Sequence, residues 1–361
     1  MKVLLAAGGT AGHIEPALTL ADALVSADPT TDIVMVGRDV GLESRLIPER
    51  GRRLRTIPAV PLPRTPSKDL LLVGPRVAGS VRAVGRILRE EKPDVVVGFG
   101  GYVAFPAYLA ARRAGIPCVI HEANARAGMA NRVGARLTPW VAEAVRGSLP
   151  GATYVGMPLR PSITDLDAQA MRAQARHHFG LDADRTTLLV FGGSLGAAHL
   201  NEVITSVAAD LGIAGVQVLH AVGERGLGVG VIQQGAVPYV TVPYIQRMDL
   251  AYAAADLAIT RAGAMTCAEL AAVGLPAVYV PLAVGNGEQR LNANPVVSAG
   301  GGLMVNDADF TSDYVRATVM SLLDDESRRR EMSAAAAALG MRDGSERLAA
   351  LVRRAALRED G

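Results

Sequence analysis

Cysteine, aromatic residues and net charge are all scarce in this sequence: two cysteines, one tryptophan, 4% aromatics and a formal charge of +2 over 361 residues. Cys118 and Cys267 sit in the apolar contexts PCVIH and MTCAEL, with no CxxC spacing. That argues against a disulfide framework and for a reducing compartment. With so few aromatics and so little excess charge, the chain lacks both the stacking platforms and the polycation of a nucleic-acid binder. No His/Cys cluster has zinc spacing. Long apolar runs are missing too. The uncharged stretch from Leu270 to Gly285 is interrupted by Pro276 and Pro281, too broken to span a bilayer as a helix. After Lys2 the first apolar run gives way at once to GGTAGH, without a clear cleavage site, so no secretory leader is expected. A cytoplasmic location without a membrane span follows.

What is present is half apolar residues and a repeated pattern. The length favours two domains. In the first half, apolar runs at VLLAA, 33–37, 94–100, 118–123 and, more weakly, 140–145 alternate with helical patterns at 16–27, 75–91, 103–114 and 127–136. In the second half, strands are expected at 187–193, 216–223, 239–245, 257–263, 277–282 and 302–305, and helices at 197–210, 247–254, 264–273, 287–298 and 312–323. Strands that are apolar throughout imply parallel sheets covered on both faces. The expected fold is α/β, two doubly wound Rossmann-like domains facing across a cleft, divided near GMPLRPSITD (156–165) into domains at 1–160 and 161–339, with a helical tail.

Two segments fit one template. LLAAGGTAG begins at Leu4 and LLVFGGSLG at Leu188. Each places a glycine turn where a first strand gives way to a first helix, the usual ligand edge of a doubly wound sheet. Glycines there let backbone N–H groups approach an anion, so two turns suit two phosphorylated ligands; tight turns alone are the alternative. His13 closes the first turn, as a base or donor or else as a cap or core residue. GFGGYVAFPA (98–107) is a further turn of this kind. HEANARAG puts His121, Glu122 and Asn124 at a strand end, where Glu122 is a second candidate base or a helix cap. Glu269, one turn into the helix after RAGAM, suits a ribose diol, or is an exposed glutamate favoured by the helix dipole. GNGEQRLNA adds Glu288, Gln289 and Asn292. The DxD pairs Asp165/Asp167, Asp182/Asp184 and Asp307/Asp309 lie away from the glycine turns and read as caps, so no metal is expected.

GGTAGHIEPA, GFGGYVAFPA, IHEANARAG, GGSLGA, RAGAMTCAELAAVGLPAVYVPL and GNGEQRLNA together resemble the MurG family of peptidoglycan lipid I N-acetylglucosaminyltransferases, glycosyltransferase family 28. The resemblance runs in order to about residue 340. It implies the GT-B fold and inverting transfer of GlcNAc from UDP-GlcNAc to the C4 hydroxyl of MurNAc in undecaprenyl-diphospho-MurNAc-pentapeptide, without a cofactor. It also implies that the N-terminal domain takes the acceptor, that the C-terminal domain takes the donor, and that the last helix (about 340–361) packs back on the N-terminal domain. Carried over by motif, UDP-GlcNAc is assigned to Thr10, Ala11, Gly12, Asn124, Arg160, Ser194, Ile245, Ala264, Met265, Thr266, Cys267, Ala268, Glu269 and Gln289. The acceptor is assigned to Gly9, Gly100, Gly101, Tyr102 and His121, and His13 and Glu122 are the candidate bases. Leu195 stands where the family usually has Gln, and Ala11 where Gly is common.

A lipid-linked acceptor implies peripheral contact with the cytoplasmic face of the cell membrane, and other cell-wall synthesis proteins as partners. Residues 50–92 carry eleven Arg/Lys against three acids, net +8, around LLLV (70–73). That composition suits an anionic surface, or a solvated helix whose apolar stripe is core. Competing readings are a UDP-GlcNAc epimerase, a diacylglycerol glycosyltransferase, and a ligand-binding protein without catalysis.

Overall fold

The computed structural model describes residues 1–58, 70–193, 197–223, 230–234, 237–282 and 287–359, with the main chain alone at 70–73 and 230–234. The chain forms two compact units, Met1–Leu159 with Asp343–Gly361, and Arg160–Arg342.

In the first unit, β1 (Lys2–Ala6), β2 (Asp32–Gly37), β3 (Arg53–Thr56), β4 (Val95–Gly98), β5 (Cys118–Glu122), β6 (Val141–Glu143) and β7 (Thr153–Tyr154) make a parallel sheet in the order β3-β2-β1-β4-β5-β6-β7. The crossovers are α1 (Ala11–Ala27), α2 (Leu42–Glu49), α3 (Leu70–Glu91), α4 (Gly101–Ala114) and α5 (Met129–Gly134). Leu5, Val97 and Val119 share one core with Ile14 and Leu18 of α1 and with Leu348, Leu351 and Val352 from the end of the chain. The opposite face packs Leu4, Val96 and Ile120 against Val84 and Leu88 of α3 and Val103 and Tyr108 of α4. Burial on both faces is why these strands read as unbroken apolar runs.

The second unit repeats the plan. Its elements are α6 (Pro161–Thr164), α7 (Ala168–His178), β8 (Thr187–Phe191), α8 (Ala198–Ser206), α9 (Ala208–Ile213), β9 (Gln217–Ala221), β10 (Gly230–Gln234), β11 (Val237–Val242), α10 (Met248–Ala254), β12 (Leu257–Thr260), α11 (Ala264–Val273), β13 (Ala277–Tyr279), α12 (Glu288–Ser298), β14 (Gly302–Met304), α13 (Ser312–Tyr314), α14 (Met320–Asp324) and α15 (Glu326–Ala337). The sheet order is β10-β11-β9-β8-β12-β13-β14, parallel except for the edge strand β10. The last helix, α16 (Gly344–Leu357), belongs to the first unit, and its Ser345 hydroxyl donates to Leu159 O at 3.1 Å.

The strand order reverses between β1 and β4 in one sheet and between β8 and β12 in the other, which makes a crevice at the carboxyl ends of those strands. The helix boundaries differ from the expected ones in a regular way. Prolines at 16 and 75 read as helix starts because they lack an N–H, yet α1 begins at Ala11 and α3 at Leu70. Each proline forfeits one intrahelical bond early in the helix and the rest of the ladder continues. The helix expected at 197–210 divides at Val207 into α8 and α9. The edge strand β3 (RLRT) and the helices α2 and α7 were not foreseen, since charge dilutes their periodicity.

Candidate functional site

At the first crevice the turns after β1 and β4 lie backbone to backbone. Gly101 has φ +73, and a Cβ there would fall 2.4 Å from Gly8 O, so only glycine lets the turns meet. Thr10 is the N-cap of α1, with His13 in its first turn. Thr10 Oγ1 and His13 Nδ1 are 2.9 Å apart. His13 is half-buried, and its ring lies against Gly100. It is therefore neither the cap nor a core residue. When Nδ1–H donates to Thr10, the basic lone pair sits on Nε2.

Behind the first turn is a buried carboxylate that the sequence reading missed. Glu43, 1% exposed, accepts the Gly9 N–H at 2.9 Å and the Tyr102 hydroxyl. Burial and this carboxylate together push the Tyr102 phenol well above its ordinary range. The Arg38 guanidinium lies 4.9 Å from the Tyr102 ring centroid, and its Nε is buried without a hydrogen-bond partner. The Gly9 amide is thus committed to Glu43, so an anion at this turn meets instead the Ala11 and Gly12 amides heading α1 and the Arg38 cation. A signal for Glu43 was present: an acid just past the second strand of a doubly wound sheet faces the first glycine turn.

After β5, Glu122 is 3% exposed and fully engaged. Oε1 accepts from the Asn124 N–H at 2.9 Å and from Asn124 Nδ2 at 3.3 Å; Oε2 accepts from Gly128 N at 3.1 Å and from Asn131 Nδ2 at 2.9 Å. Its carboxylate therefore shapes the loop that presents Asn124 and is not poised to accept a proton from an acceptor. His121 is fully buried, with one ring nitrogen on Gly156 O at 3.1 Å and Nδ1 unpartnered. Burial pushes its pKa down to about 4, so it is neutral and out of a ligand's reach. Gly100 is buried beneath His13 and Asn131. This geometry speaks for a packing role of His121 and Gly100 and for a loop-shaping role of Glu122, against their assignment as acceptor contacts and as a base.

In the second unit the turn after β12 leads into α11. Glu269 is not an exposed first-turn residue. It is 5% exposed and bonds Arg160 Nη2 at 3.1 Å and the Tyr252 hydroxyl at 2.8 Å. Arg160 is half-buried, at the N-cap of α6. Ala264, Met265, Thr266 and Ala268 are half-buried on the first turns of α11, whereas Cys267 is buried and its thiol pKa is pushed up to about 12. Ile245 is buried as well, so a contact with a base would run through its main chain. Gln289 Oε1 accepts from Leu282 N at 2.9 Å, leaving its NH₂ as the donor at this edge. Of the DxD pairs, Asp167 caps a helix, and Asp307 pairs with Arg261 immediately after β12. Ser194 and Leu195 lie outside the described residues.

Residues 3–143 match the glycosyltransferase family 28 N-terminal domain, and residues 187–348 match the family 28 C-terminal domain. A UDP-N-acetylglucosamine–N-acetylmuramyl-(pentapeptide) pyrophosphoryl-undecaprenol N-acetylglucosamine transferase from Streptomyces avermitilis is 57% identical over 354 residues, 98% of each chain. The chain belongs to glycosyltransferase family 28. A Mycolicibacterium smegmatis relative of the same name is 56% identical over 97% of this chain and 92% of its own. Among solved structures, Acinetobacter baumannii MurG matches with TM-score 0.75 at 26% identity, covering 98% of this chain and 99% of that one. A UDP-GlcNAc 2-epimerase from Neisseria meningitidis shares the fold, with TM-score 0.68 at 14% identity over 98% of this chain and all of that one. The two Rossmann-like domains are those of a GT-B glycosyltransferase, as the family 28 assignment requires.

The basic segment also looks different as part of a family 28 fold. Arg50, Arg52, Arg53 and Arg55 are paired with Glu15, Asp22, Asp32, Glu90 and Glu91; three of these acids, Glu15, Asp22 and Asp32, lie outside residues 50–92 and offset part of the +8 counted along the sequence. Arg82, Arg86 and Arg89 are exposed on α3 at helical spacing and carry no ion pair among the described residues. The LLLV side chains at 70–73 lie outside what is described. Among the described residues no helix is long and apolar enough to cross a membrane.

Proposed function

We propose that this chain transfers N-acetylglucosamine from UDP-N-acetylglucosamine to the C4 hydroxyl of the MurNAc unit of undecaprenyl-diphospho-MurNAc-pentapeptide, inverting the anomeric centre. The observation that carries this reading is 57% identity across 98% of both chains with a transferase of that name. The C-terminal domain holds the donor. Glu269 accepts from the ribose hydroxyls, while Arg160 and the amides heading α11 meet the negative charge that grows on departing UDP. The N-terminal domain takes the acceptor. His13 Nε2 removes the hydroxyl proton as the C4 oxygen attacks C1, and the C1–O bond to UDP breaks on the opposite face. Thr10 fixes the ring and its tautomer. Glu122 acts one step removed, by holding Asn124 for the sugar.

Incubation with UDP-GlcNAc and a lipid I analogue should release UDP together with a β-linked disaccharide. A C2-epimerised sugar, or UDP release with diacylglycerol in place of the analogue, would replace this reading by another. The enzyme works as a peripheral protein on the cytoplasmic face, held by the Arg82, Arg86 and Arg89 stripe, each residue contributing about 1 kcal/mol at an anionic surface. Anionic vesicles should sediment the protein at low salt, and Arg→Glu changes at all three positions should release it. Unchanged sedimentation of that variant would move the contact elsewhere.

A further inference from the structure

The amino-terminal edge of the first sheet holds a cavity of about 270 Å³. It lies at the end of the sheet away from the glycine turns, since Cys118, the first residue of β5, is part of its wall. Its lining combines apolar Leu137, Pro139 and Trp140 with two guanidinium groups, Arg112 and Arg358, and contains no acidic residue. Arg112, in the last turn of α4, donates to Leu137 O at 3.3 Å. Arg358, the C-cap of α16 with φ +57, donates to Gly115 O at 2.9 Å. Neither has an ion pair among the described residues. A guanidinium offers five N–H donors, and one carbonyl apiece leaves most of both forks to the cavity. Two cations converging on an apolar floor without a counter-charge form the complement of an amphiphilic anion. The volume exceeds what a bare phosphate needs, and the Trp140 wall favours a ligand that brings carbon with its charge. The α3 helix, which carries the Arg82, Arg86 and Arg89 stripe, packs against α4 and ends at this same edge.

We infer that this cavity binds the phosphate headgroup of an anionic glycerophospholipid, so that the protein reads lipid charge through a defined site besides its basic stripe. The inference rests on the peripheral membrane reading above and deepens it. The headgroup sits between Arg112 and Arg358, its glycerol against Leu137 and Trp140. Because the cavity is at the edge away from the glycine turns, occupancy leaves the transfer site open.

Trp140 is the only tryptophan in the chain, so its fluorescence reports this cavity directly. The protein is titrated with dihexanoyl-phosphatidylglycerol below its micellar concentration, with dihexanoyl-phosphatidylcholine and inorganic phosphate as the other arms. A saturable change with the glycerol lipid alone is expected. The Arg112→Gln/Arg358→Gly variant should raise its Kd about tenfold or more. Arg358→Gly suits the left-handed cap and Arg112→Gln keeps a good helix former, so the variant should fold and act normally on a soluble acceptor analogue. A silent Trp140, an equal response to phosphatidylcholine, equal binding of inorganic phosphate, or an unchanged Kd in the variant would each overturn the site. Sedimentation with phosphatidylglycerol vesicles separates the two levels. If the wild type sediments while Trp140 stays silent, only the cavity assignment fails. If it does not sediment at all, the membrane reading fails with it.

Discussion

The two domains use the same pair of side chains at their ligand edges, a tyrosine hydroxyl donating to a buried glutamate, and differ in the glutamate's other partner. In the N-terminal domain Glu43 holds Tyr102 and the Gly9 amide. In the C-terminal domain Glu269 holds Tyr252 and the Arg160 guanidinium. A backbone amide ties its carboxylate to the loop for good. A half-buried arginine at the start of a short helix is a partner that a ligand's own groups can replace. The difference teaches how one motif can serve two ends: under the proposed function, one carboxylate shapes a turn and the other is kept for binding.

The sharpest way to break that contrast is at His13. His13→Ala is expected to lower kcat by about 10²–10⁴ with UDP binding nearly intact, and to abolish the acidic limb of the kcat profile. A loss confined to acceptor KM would instead make His13 a positioning residue.

The next effect distinguishes the domains by proton uptake. Each has one buried neutral histidine, His121 and His220, whose pKa burial pushes from 6.5 down to about 4. The unfolded chain binds these protons more readily, so stability should fall as pH drops from 6.5 towards 4, by up to roughly 3 kcal/mol for each histidine. His220 has both nitrogens bonded, to Tyr239 and Asn201, whereas His121 has one left over. Urea unfolding between pH 6.5 and 4.5 tests this, and a flat stability would refute it.

Glu269→Gln should keep the Tyr252 contact while weakening the hold on Arg160 and on the ribose. The KM for UDP-GlcNAc is expected to rise about tenfold, as for loss of a charged hydrogen bond, with acceptor KM little changed. An unchanged donor KM would remove the ribose assignment. The smallest effect is expected of Glu43→Gln. It retains an oxygen for the Gly9 amide, so the loss should be about 1 kcal/mol in thermal unfolding, whereas Glu43→Ala should cost up to about 3. Equal losses would show that neither hydrogen bond matters.

Much of this was written plainly in the sequence. The sheets could be read because parallel strands are apolar on both faces, and the glycine turns because φ and close approach admit little else, as at Gly101. Glu43 was legible only through the topology, as an acid just past the second strand, since it meets Gly9 from 34 residues away once β2 lies beside β1. Glu122 was left open between base and cap for a related reason. A carboxylate at a strand end reads as reactive, and only the path of residues 124–131 shows that its oxygens are already occupied. The charge count overstated the unpaired charge for a similar reason, because Arg50–Arg55 find acids on neighbouring elements.

The α16 helix carries a consequence for synthesis. It supplies Leu348, Leu351, Val352 and Ala355 to the core beneath α1, although some 180 residues of the other domain intervene in the chain, Arg160–Arg342. On the ribosome, therefore, the domain that begins first finishes last. Until residues 344–357 emerge, the core that α1 shares with the sheet lacks the side chains of α16, while the domain encoded in between can already close. A nascent chain arrested before that point would leave exposed the part of this core that α16 covers, a signal that a holding chaperone or a protease could read.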